Sequence, residues 1–362
     1  MAKWPWSRRI NPHYEQIKAE ADQWFRKFDA LTSQSLRAFE KCDFARLAAL
    51  AYPDASRGIV LRHDVACRHP NPHTEQLRIA CELIVVYFIV DEYTDVEDST
   101  VTAEVVEIII DALKCPSKPR PTGEVVLGEI VRQFWSRAIK SASLTSQRHF
   151  IDDYVAYLRG VVVEATDRDK GTRRNIQEYL EVRRLTVGVQ SAFVIFELDM
   201  DLPDEAYYHP TVVELINCIT ELVIIDNDMA SYNREQATGD KNHNLISAIM
   251  HETGLDSSGA MSRAASYHAE IETKFIDGLS KVPSWGPLID SQLKRYLHGM
   301  ANWARANYCW SYESQRYFGN KGLDVQKSRM IPLLPRAERD VTLRGRGVVV
   351  VDIDICMSAR VA

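Results

Sequence analysis

Apolar residues recur at helical spacing along almost the whole of this 362-residue chain. Residues three or four apart share one side of a helix, so this spacing predicts amphipathic helices. Alternating strand patterns are scarce before the last stretch of the sequence. We therefore predict an all-α fold, with helices at residues 13–28, 33–50, 75–95, 101–113, 123–140, 145–165, 175–198, 209–235, 242–252, 257–279 and 285–313.

The connections between these helices contain the expected breakers, and no linker or internal repeat divides the chain. We predict a single helical domain over residues 1–335. Two segments fit it poorly. Residues 57–74 are polar and contain two prolines, which suggests an unusual insertion. Residues 336–362 are basic and then strand-like, and since a lone strand has no partner, we predict a disordered C-terminal tail.

Charge, apolar runs and cysteines exclude several classes of protein. The chain has 44 basic and 50 acidic residues, which argues against nucleic-acid binding. The longest apolar run, residues 83–90, is too short for a membrane span, which takes about 20 residues. The seven cysteines include no CxxC pair and suit a reducing compartment. The first residues lack the apolar core of a secretion signal, so we expect a cytoplasmic protein.

Two sets of oxygen-bearing side chains recur at intervals of four residues, each at the end of a strongly apolar helical run. They are Asp91 and Asp95 in the first set, and Asn227, Ser231 and Glu235 in the second. Each set projects from one side of its helix. Mg²⁺ prefers oxygen ligands and is often completed by substrate phosphates. Two such sets facing each other could hold a diphosphate through metal ions.

Each set also has a simpler interpretation. Asp91 and Asp95 could form a solvated acidic helix end, since charge runs usually lie at the surface. The preceding apolar run argues against this, because it buries the helix. The second set could be an ordinary helix terminus, but that does not explain why its three members keep one register. We favour metal binding at both.

Together the two sets resemble the metal-binding motifs of class I terpene synthases, most closely those of basidiomycete sesquiterpene synthases. The first set corresponds to the aspartate-rich motif in its DExxD form, and the second to the NSE triad. Residues 183–188 resemble the segment that carries the diphosphate-sensing arginine, and Arg316-Tyr317 resembles the terminal Arg-Tyr pair. The resemblance covers about residues 6–335. It implies a helical bundle around a central apolar pocket, three Mg²⁺ ions and farnesyl diphosphate as substrate.

The resemblance also assigns roles around the diphosphate. Arg184 corresponds to the diphosphate sensor and Gly188 to the helix-break effector. Arg234, Arg316 and Tyr317 would complete a diphosphate cage. The simpler interpretations are a surface ion pair for Arg184, close helix packing for Gly188 and routine surface positions for the other three.

A carbocation inside an enzyme needs a dry apolar pocket with aromatic faces. Tyr87 and Phe88 lie one turn before Asp91, and Trp310 lies six residues before Arg316. We predict that these three aromatic residues line the pocket, although plain core packing is the usual role of aromatic residues at helical spacing.

We therefore predict a sesquiterpene synthase, a lyase that ionises farnesyl diphosphate and cyclises it. The resemblance implies ring closure by 1,11 attack to a protoilludene-type product. One alternative is a chain-elongating prenyl diphosphate synthase, which carries a second DDxxD motif. The sequence at residues 152–156 lacks the closing aspartate, and position 227 is asparagine. The other alternative is a catalytically impaired homologue. A monomer or a homodimer is expected.

Overall fold

The computed structural model describes residues 1, 3–55, 72–239 and 241–335, and within these ranges the chain forms helices and connecting turns without a strand. The predicted all-α class is confirmed. The helices are α1 (Tyr14–Arg26), α2 (Ser33–Lys41), α3 (Phe44–Ala51), α4 (Pro72–Thr94), α5 (Ser99–Lys114), α6 (Leu127–Ala138), α7 (Leu144–Lys170), α8 (Ile176–Thr186), α9 (Val189–Phe193), α10 (Asp204–Tyr207), α11 (Pro210–Thr238), α12 (Leu245–Thr253), α13 (Ser257–Leu279), α14 (Pro287–Glu313) and α15 (Gly322–Ser328). None of these helices is long and apolar enough to cross a membrane.

Two helices predicted as continuous are broken in the structure, and both breaks lie near the candidate site. The predicted helix 33–50 divides into α2 and α3 at Asp43, which adopts a positive φ of 49°. The predicted helix 175–198 ends as α8 and resumes as α9 after Gly188, whose φ is 71°. Aspartate and glycine are residues that tolerate this left-handed conformation, so the sequence permits both breaks without requiring them.

The apolar runs of α4 and α11 are the centre of the core. Leu83, Ile89 and Val90 in α4 are fully buried, as are Leu222 and Ile225 in α11. Burying a side chain of this size stabilises the fold by about 1.5–3 kcal/mol relative to leaving it exposed. Because the buried runs stop just before Asp91 and Asn227, the core fixes the helix segments that carry the oxygen-bearing side chains.

Helix α11 has clear start and stop signals. Pro210 occupies its first turn, where a missing N–H costs nothing, and the His209 ring accepts a hydrogen bond from the backbone of Thr211. Gly239 ends the helix with φ of 89°. The helix is 29 residues long, and it packs against α13 and α14.

The predicted domain limits lie largely outside the described residues. Of the predicted insertion at 57–74, only residues 72–74 are described, and their backbone forms the first turn of α4. The tail at 336–362 lies outside the described ranges. Both assignments stay predictions.

Candidate active site

The α11 oxygen set is held by hydrogen bonds on both sides. The side-chain oxygen of Asn227 accepts a hydrogen bond from Arg183 Nη2 at 3.0 Å, and its Nδ2 donates to the hydroxyl of Tyr317 at 2.9 Å. Ser231, one turn further on, is only 1% exposed. Asn227 therefore joins α11 to α8 and to the segment after α14.

Asn244, which sequence reasoning missed, fixes the other two members of this set. Its Nδ2 donates to Glu235 Oε2 at 2.9 Å and lies 3.4 Å from Ser231 Oγ. Its Oδ1 caps α12 by accepting from the backbone of Ile246. An asparagine just before an apolar run is a recognisable helix-capping signal, but nothing in the sequence shows that the same side chain reaches α11.

Asp91 belongs to the first oxygen-bearing set and lies near the end of α4. It accepts a hydrogen bond from the hydroxyl of Tyr157 at 3.1 Å. Burial raises the pKa of Asp91 to about 6, while the positive charges of Arg316 and Arg183 oppose this rise. Arg183, which acts on the Asp91 carboxyl through its charge, is the same residue that donates a hydrogen bond to Asn227.

Asp95 lies at the outer rim, just beyond the end of α4. Its side chain is 69% exposed, and its Oδ1 is 3.7 Å from Arg168 Nη1. Asp91 is thus the inner carboxylate of the pair and Asp95 the outer one. Metal binding by either residue stays a prediction.

Arg183, the neighbour of the predicted Arg184, contacts the α11 oxygen set at Asn227. Arg184 binds Glu221 instead, with Nη2 2.6 Å from Oε1, and Tyr267 donates to the other carboxylate oxygen at 2.7 Å. Glu221 precedes Asn227 by six residues, which is about 9 Å back along the helix axis. The role of Arg184 as diphosphate sensor stays a prediction, and Arg183 is a second candidate for that role.

Arg316 and Tyr317 lie together where the sequence predicts. The Arg316 guanidinium is 4.5 Å from the centre of the Phe88 ring and 5.7 Å from that of Tyr317. Arg234 approaches the same Tyr317 ring at 5.8 Å. Tyr317 thus lies between two cationic side chains, and its hydroxyl is at Asn227.

Two arginine nitrogens at this site are suited to an anion. The Nε atoms of Arg183 and Arg316 are buried and have no hydrogen-bond partner among the described residues. A buried donor left without an acceptor costs about 1–3 kcal/mol. A diphosphate offers several acceptor oxygens with negative charge, which suits guanidinium groups better than any neutral ligand.

The oxygen-bearing side chains at this site also suit a hard divalent cation. Carboxylate, amide and hydroxyl oxygens of Asp91, Asn227, Ser231 and Glu235 are the ligands that Mg²⁺ accepts. Burial raises the pKa of Glu235, and Arg234 opposes this rise. In the described ranges, no three carboxylate, imidazole or thiol groups converge into a metal site by themselves. Mg²⁺ at sites with few protein ligands is commonly completed by waters and substrate phosphates.

Gly188 creates a helix break in close contact with a predicted pocket residue. A Cβ atom at this position would lie 3.0 Å from Cδ1 and Cε1 of Tyr87. The Tyr87 hydroxyl is hydrogen-bonded to Ser191 Oγ at 2.5 Å, and Ser191 in turn donates to the Gly188 carbonyl at 3.4 Å. Glycine is needed here both for its backbone conformation and for the space that Tyr87 occupies.

The predicted aromatic residues differ in position. Phe88 packs against the Arg316 guanidinium. Its ring also stacks on that of Phe44, with 3.9 Å between the ring centres. Trp310 is fully buried and donates its indole N–H to the carbonyl of Cys42, one of the groups freed by the break before α3. Pocket lining stays a prediction for all three, and the packing of Trp310 fits a structural role. Sequence reasoning missed Phe44.

Comparisons with known proteins show which family and fold the chain resembles. A family described as "Terpene synthase family 2, C-terminal metal binding" matches residues 82–274. Sesquiterpene synthase 14 of Postia placenta is 50% identical over 355 residues, which are 98% of this chain and 96% of that protein. Delta(6)-protoilludene synthase 18 of the same fungus is 48% identical over 353 residues, 98% of this chain and 96% of that protein. The crystal structure of an α-eudesmol synthase shares the fold at 20% identity, with a TM-score of 0.74 over 86% of this chain and 98% of that one.

Proposed function

This chain belongs to the terpene synthase family, and we propose that it is a sesquiterpene synthase that uses Mg²⁺ to ionise farnesyl diphosphate and cyclises the resulting carbocation. The observation that supports this most strongly is that Arg183 donates a hydrogen bond to Asn227 while its buried Nε atom, like that of Arg316, has no hydrogen-bond partner among the described residues. The charges of both arginines also act on the Asp91 carboxyl. Oxygen donors for a metal and N–H donors for a diphosphate thus lie in one place. The identities of 48–50% to two named synthases over 98% of the chain support the same proposal.

The protein groups have distinct tasks in this reaction. Bound Mg²⁺ ions, three by family resemblance, supply Lewis-acid neutralisation of the leaving group's charge. Asp91 would hold them on one wall, while Asn227, Ser231 and Glu235 would hold them on the other. Arg183 and Arg316 would donate hydrogen bonds to the diphosphate, which leaves when its bond to the first carbon of the farnesyl chain breaks.

The positive charge left on the carbon chain must be kept from water. The Phe88 ring packs against the guanidinium of Arg316, a proposed diphosphate ligand, which would place the ring close to the leaving group. The negative face of an aromatic ring stabilises a neighbouring cation. We propose that Phe88 stabilises the early carbocation, and that Tyr87, held against the Gly188 break, shapes the pocket wall.

We infer a product formed by 1,11 ring closure, of the protoilludene class. The support is the name of the relative that is 48% identical over nearly the full length of both chains. The residues that choose among products are many apolar side chains acting together, so no single contact in the structure carries this assignment.

Product analysis tests the proposed function. The purified protein is incubated with farnesyl diphosphate and Mg²⁺, and the volatile products are identified by gas chromatography with mass spectrometry. A cyclic sesquiterpene that disappears when the metal is chelated is the expected result. Longer diphosphates formed after addition of isopentenyl diphosphate would instead show an elongating synthase. A folded protein that gives no product would be an impaired homologue.

Two further predictions concern the protein in the cell and in solution. A cytoplasmic location and a monomeric or homodimeric state are not tested by the structure and stay predictions. Light scattering of the purified protein measures the second directly.

A further inference from the structure

The segment after α14 attaches to α11 at two places. We call residues 314–335 the C-terminal arm. Near its start, the Tyr317 hydroxyl accepts a hydrogen bond from Asn227. Near its end, the backbone N–H of Leu334 donates to Asn233 Oδ1 at 2.8 Å, and the carbonyl of Pro332 accepts from Asn233 Nδ2 at 3.1 Å. The two attachment points on α11 are six residues apart, about 9 Å along its axis.

The distal attachment is a specific one. The amide of Asn233 is a donor and an acceptor at once, and it pairs with the arm's backbone through both groups. Gln236 adds a third hydrogen bond, from its Nε2 to the carbonyl of Leu334 at 2.8 Å. Asn233 is only 7% exposed, so water competes poorly for these bonds. We call the contacts of Asn233 and Gln236 with the arm the latch.

The latch lies on a different side of α11 from the metal-binding set. Asn233 is two residues beyond Ser231, and side chains two apart on a helix point to roughly opposite sides. Tyr317, by contrast, contacts the side of α11 that carries Asn227. The arm therefore passes around α11, from the face of the candidate active site to the back of the helix.

The middle of the arm is seated on the end of α14. A Cβ atom at Gly322 would lie 2.0 Å from the carbonyl oxygen of Tyr312, so α15 approaches the α14 backbone as closely as glycine allows. The rings of Tyr312 and Phe318 stack at 5.2 Å. With its middle seated on α14 and its end latched to α11, the arm joins the two helices whose facing ends border the site.

We propose that this latch positions Arg316 and Tyr317 for diphosphate binding, which makes Asn233 a positioning residue of the reaction. Arg316 and Tyr317 are at the base of the arm, and docking of the arm's far end limits how far that base can turn away from α11. This inference rests on the proposed function, because it takes the ligand of Arg316 and Tyr317 to be a diphosphate.

Two substitutions break the latch from opposite sides. Asn233→Ala removes both hydrogen bonds from α11, and Leu334→Pro removes the N–H donor from the exposed arm without changing α11. Gln292→Ala is the matched control, since the Gln292 side chain also accepts a hydrogen bond from a backbone N–H, that of Asp201. Gln292 lies 21 residues before the end of α14, which is about 30 Å along the helix axis from the point where the arm begins.

The decisive measurement is the affinity for inorganic diphosphate in the presence of Mg²⁺, determined by calorimetry on the full-length protein. Losing two ordinary hydrogen bonds corresponds to roughly a tenfold effect. We expect Asn233→Ala to weaken binding about tenfold and to raise KM for farnesyl diphosphate similarly, with kcat reduced less. Leu334→Pro should weaken binding in the same direction, and the double variant should be no worse than the more severe single one, because both act on one contact.

Hydrogen exchange separates positioning from a general loss of stability. Amides of residues 318–335 should exchange faster in Asn233→Ala, while those of α4 and α11 keep their wild-type rates. Unchanged diphosphate affinity in Asn233→Ala, or an equal loss in Gln292→Ala, would overturn the inference. If the wild-type protein itself neither binds diphosphate nor converts farnesyl diphosphate, the proposed function fails instead, so the two failures are distinguishable.

Discussion

Replacing Gly188 with alanine places one methyl group where the structure has least room for it. The residue has a φ of 71°, a conformation that costs a residue with a Cβ about 1–2 kcal/mol. The new Cβ would also lie 3.0 Å from two ring carbons of Tyr87. That ring cannot move freely, because its hydroxyl is hydrogen-bonded to Ser191 and its centre lies 5.5 Å from that of the Tyr154 ring.

The crowding adds a second cost to the backbone strain. Overpacking by one methyl group costs about 1–3 kcal/mol. We therefore expect Gly188→Ala to lower the free energy of unfolding by about 2–5 kcal/mol in total. Urea denaturation followed by circular dichroism measures this loss.

Gly171 provides the matched control. It ends α7 with a φ of 63°, and no atom lies within 4 Å of the Cβ that alanine would add there. Gly171→Ala should show the backbone cost alone, about 1–2 kcal/mol. The difference between the two variants isolates the contact with Tyr87.

Function should separate the two variants further. In Gly188→Ala the Tyr87 ring must tilt, so we expect turnover of farnesyl diphosphate by the folded protein to fall by about tenfold or more, equivalent to 1.4 kcal/mol in the barrier. The ratio of products should change as well, while Gly171→Ala keeps wild-type turnover and products. Equal stability losses in the two variants, together with unchanged products in Gly188→Ala, would refute the reasoning.

Three other substitutions test the site and the core. Asn227→Ala removes a proposed metal ligand and should abolish turnover. It also removes two partly buried hydrogen bonds, which should shift the melting temperature by only a few degrees. Near-normal turnover would contradict the metal role. Arg183→Ala should weaken diphosphate binding by more than about tenfold. Arg184→Ala should lower stability and leave the diphosphate affinity of the folded protein nearly unchanged. The reverse result would support Arg184 as the sensor. Burial raises the pKa of Asp153 to about 6, above its usual range, so the folded state gains stability as the pH falls through 6 and ionised Asp153 weakens it above that value. Asp153→Asn should therefore raise the melting temperature more at pH 8 than at pH 4.5, and an equal effect at both values would contradict the shift.

The sequence by itself determined the helical class and the register of the oxygen-bearing set on α11. Both depend on spacing along one chain: apolar residues at helical intervals select the buried side, and Asn227, Ser231 and Glu235 share a side whatever surrounds them. Spacing alone predicted an unbroken helix through Gly188, and the break there was expected only from the family resemblance. Spacing could not locate the break at Asp43 either, because aspartate tolerates a positive φ but does not demand it.

Only the tertiary structure decided which of two adjacent arginines contacts Asn227. Successive residues on a helix point about 100° apart, and the rotation of α8 against α11 brings Arg183 to Asn227 and Arg184 to Glu221. Asn244 reaching Ser231, and Asn233 holding the arm, are decided in the same way. These contacts join residues from different elements, and the energy that fixes them comes from packing, which no local sequence pattern records.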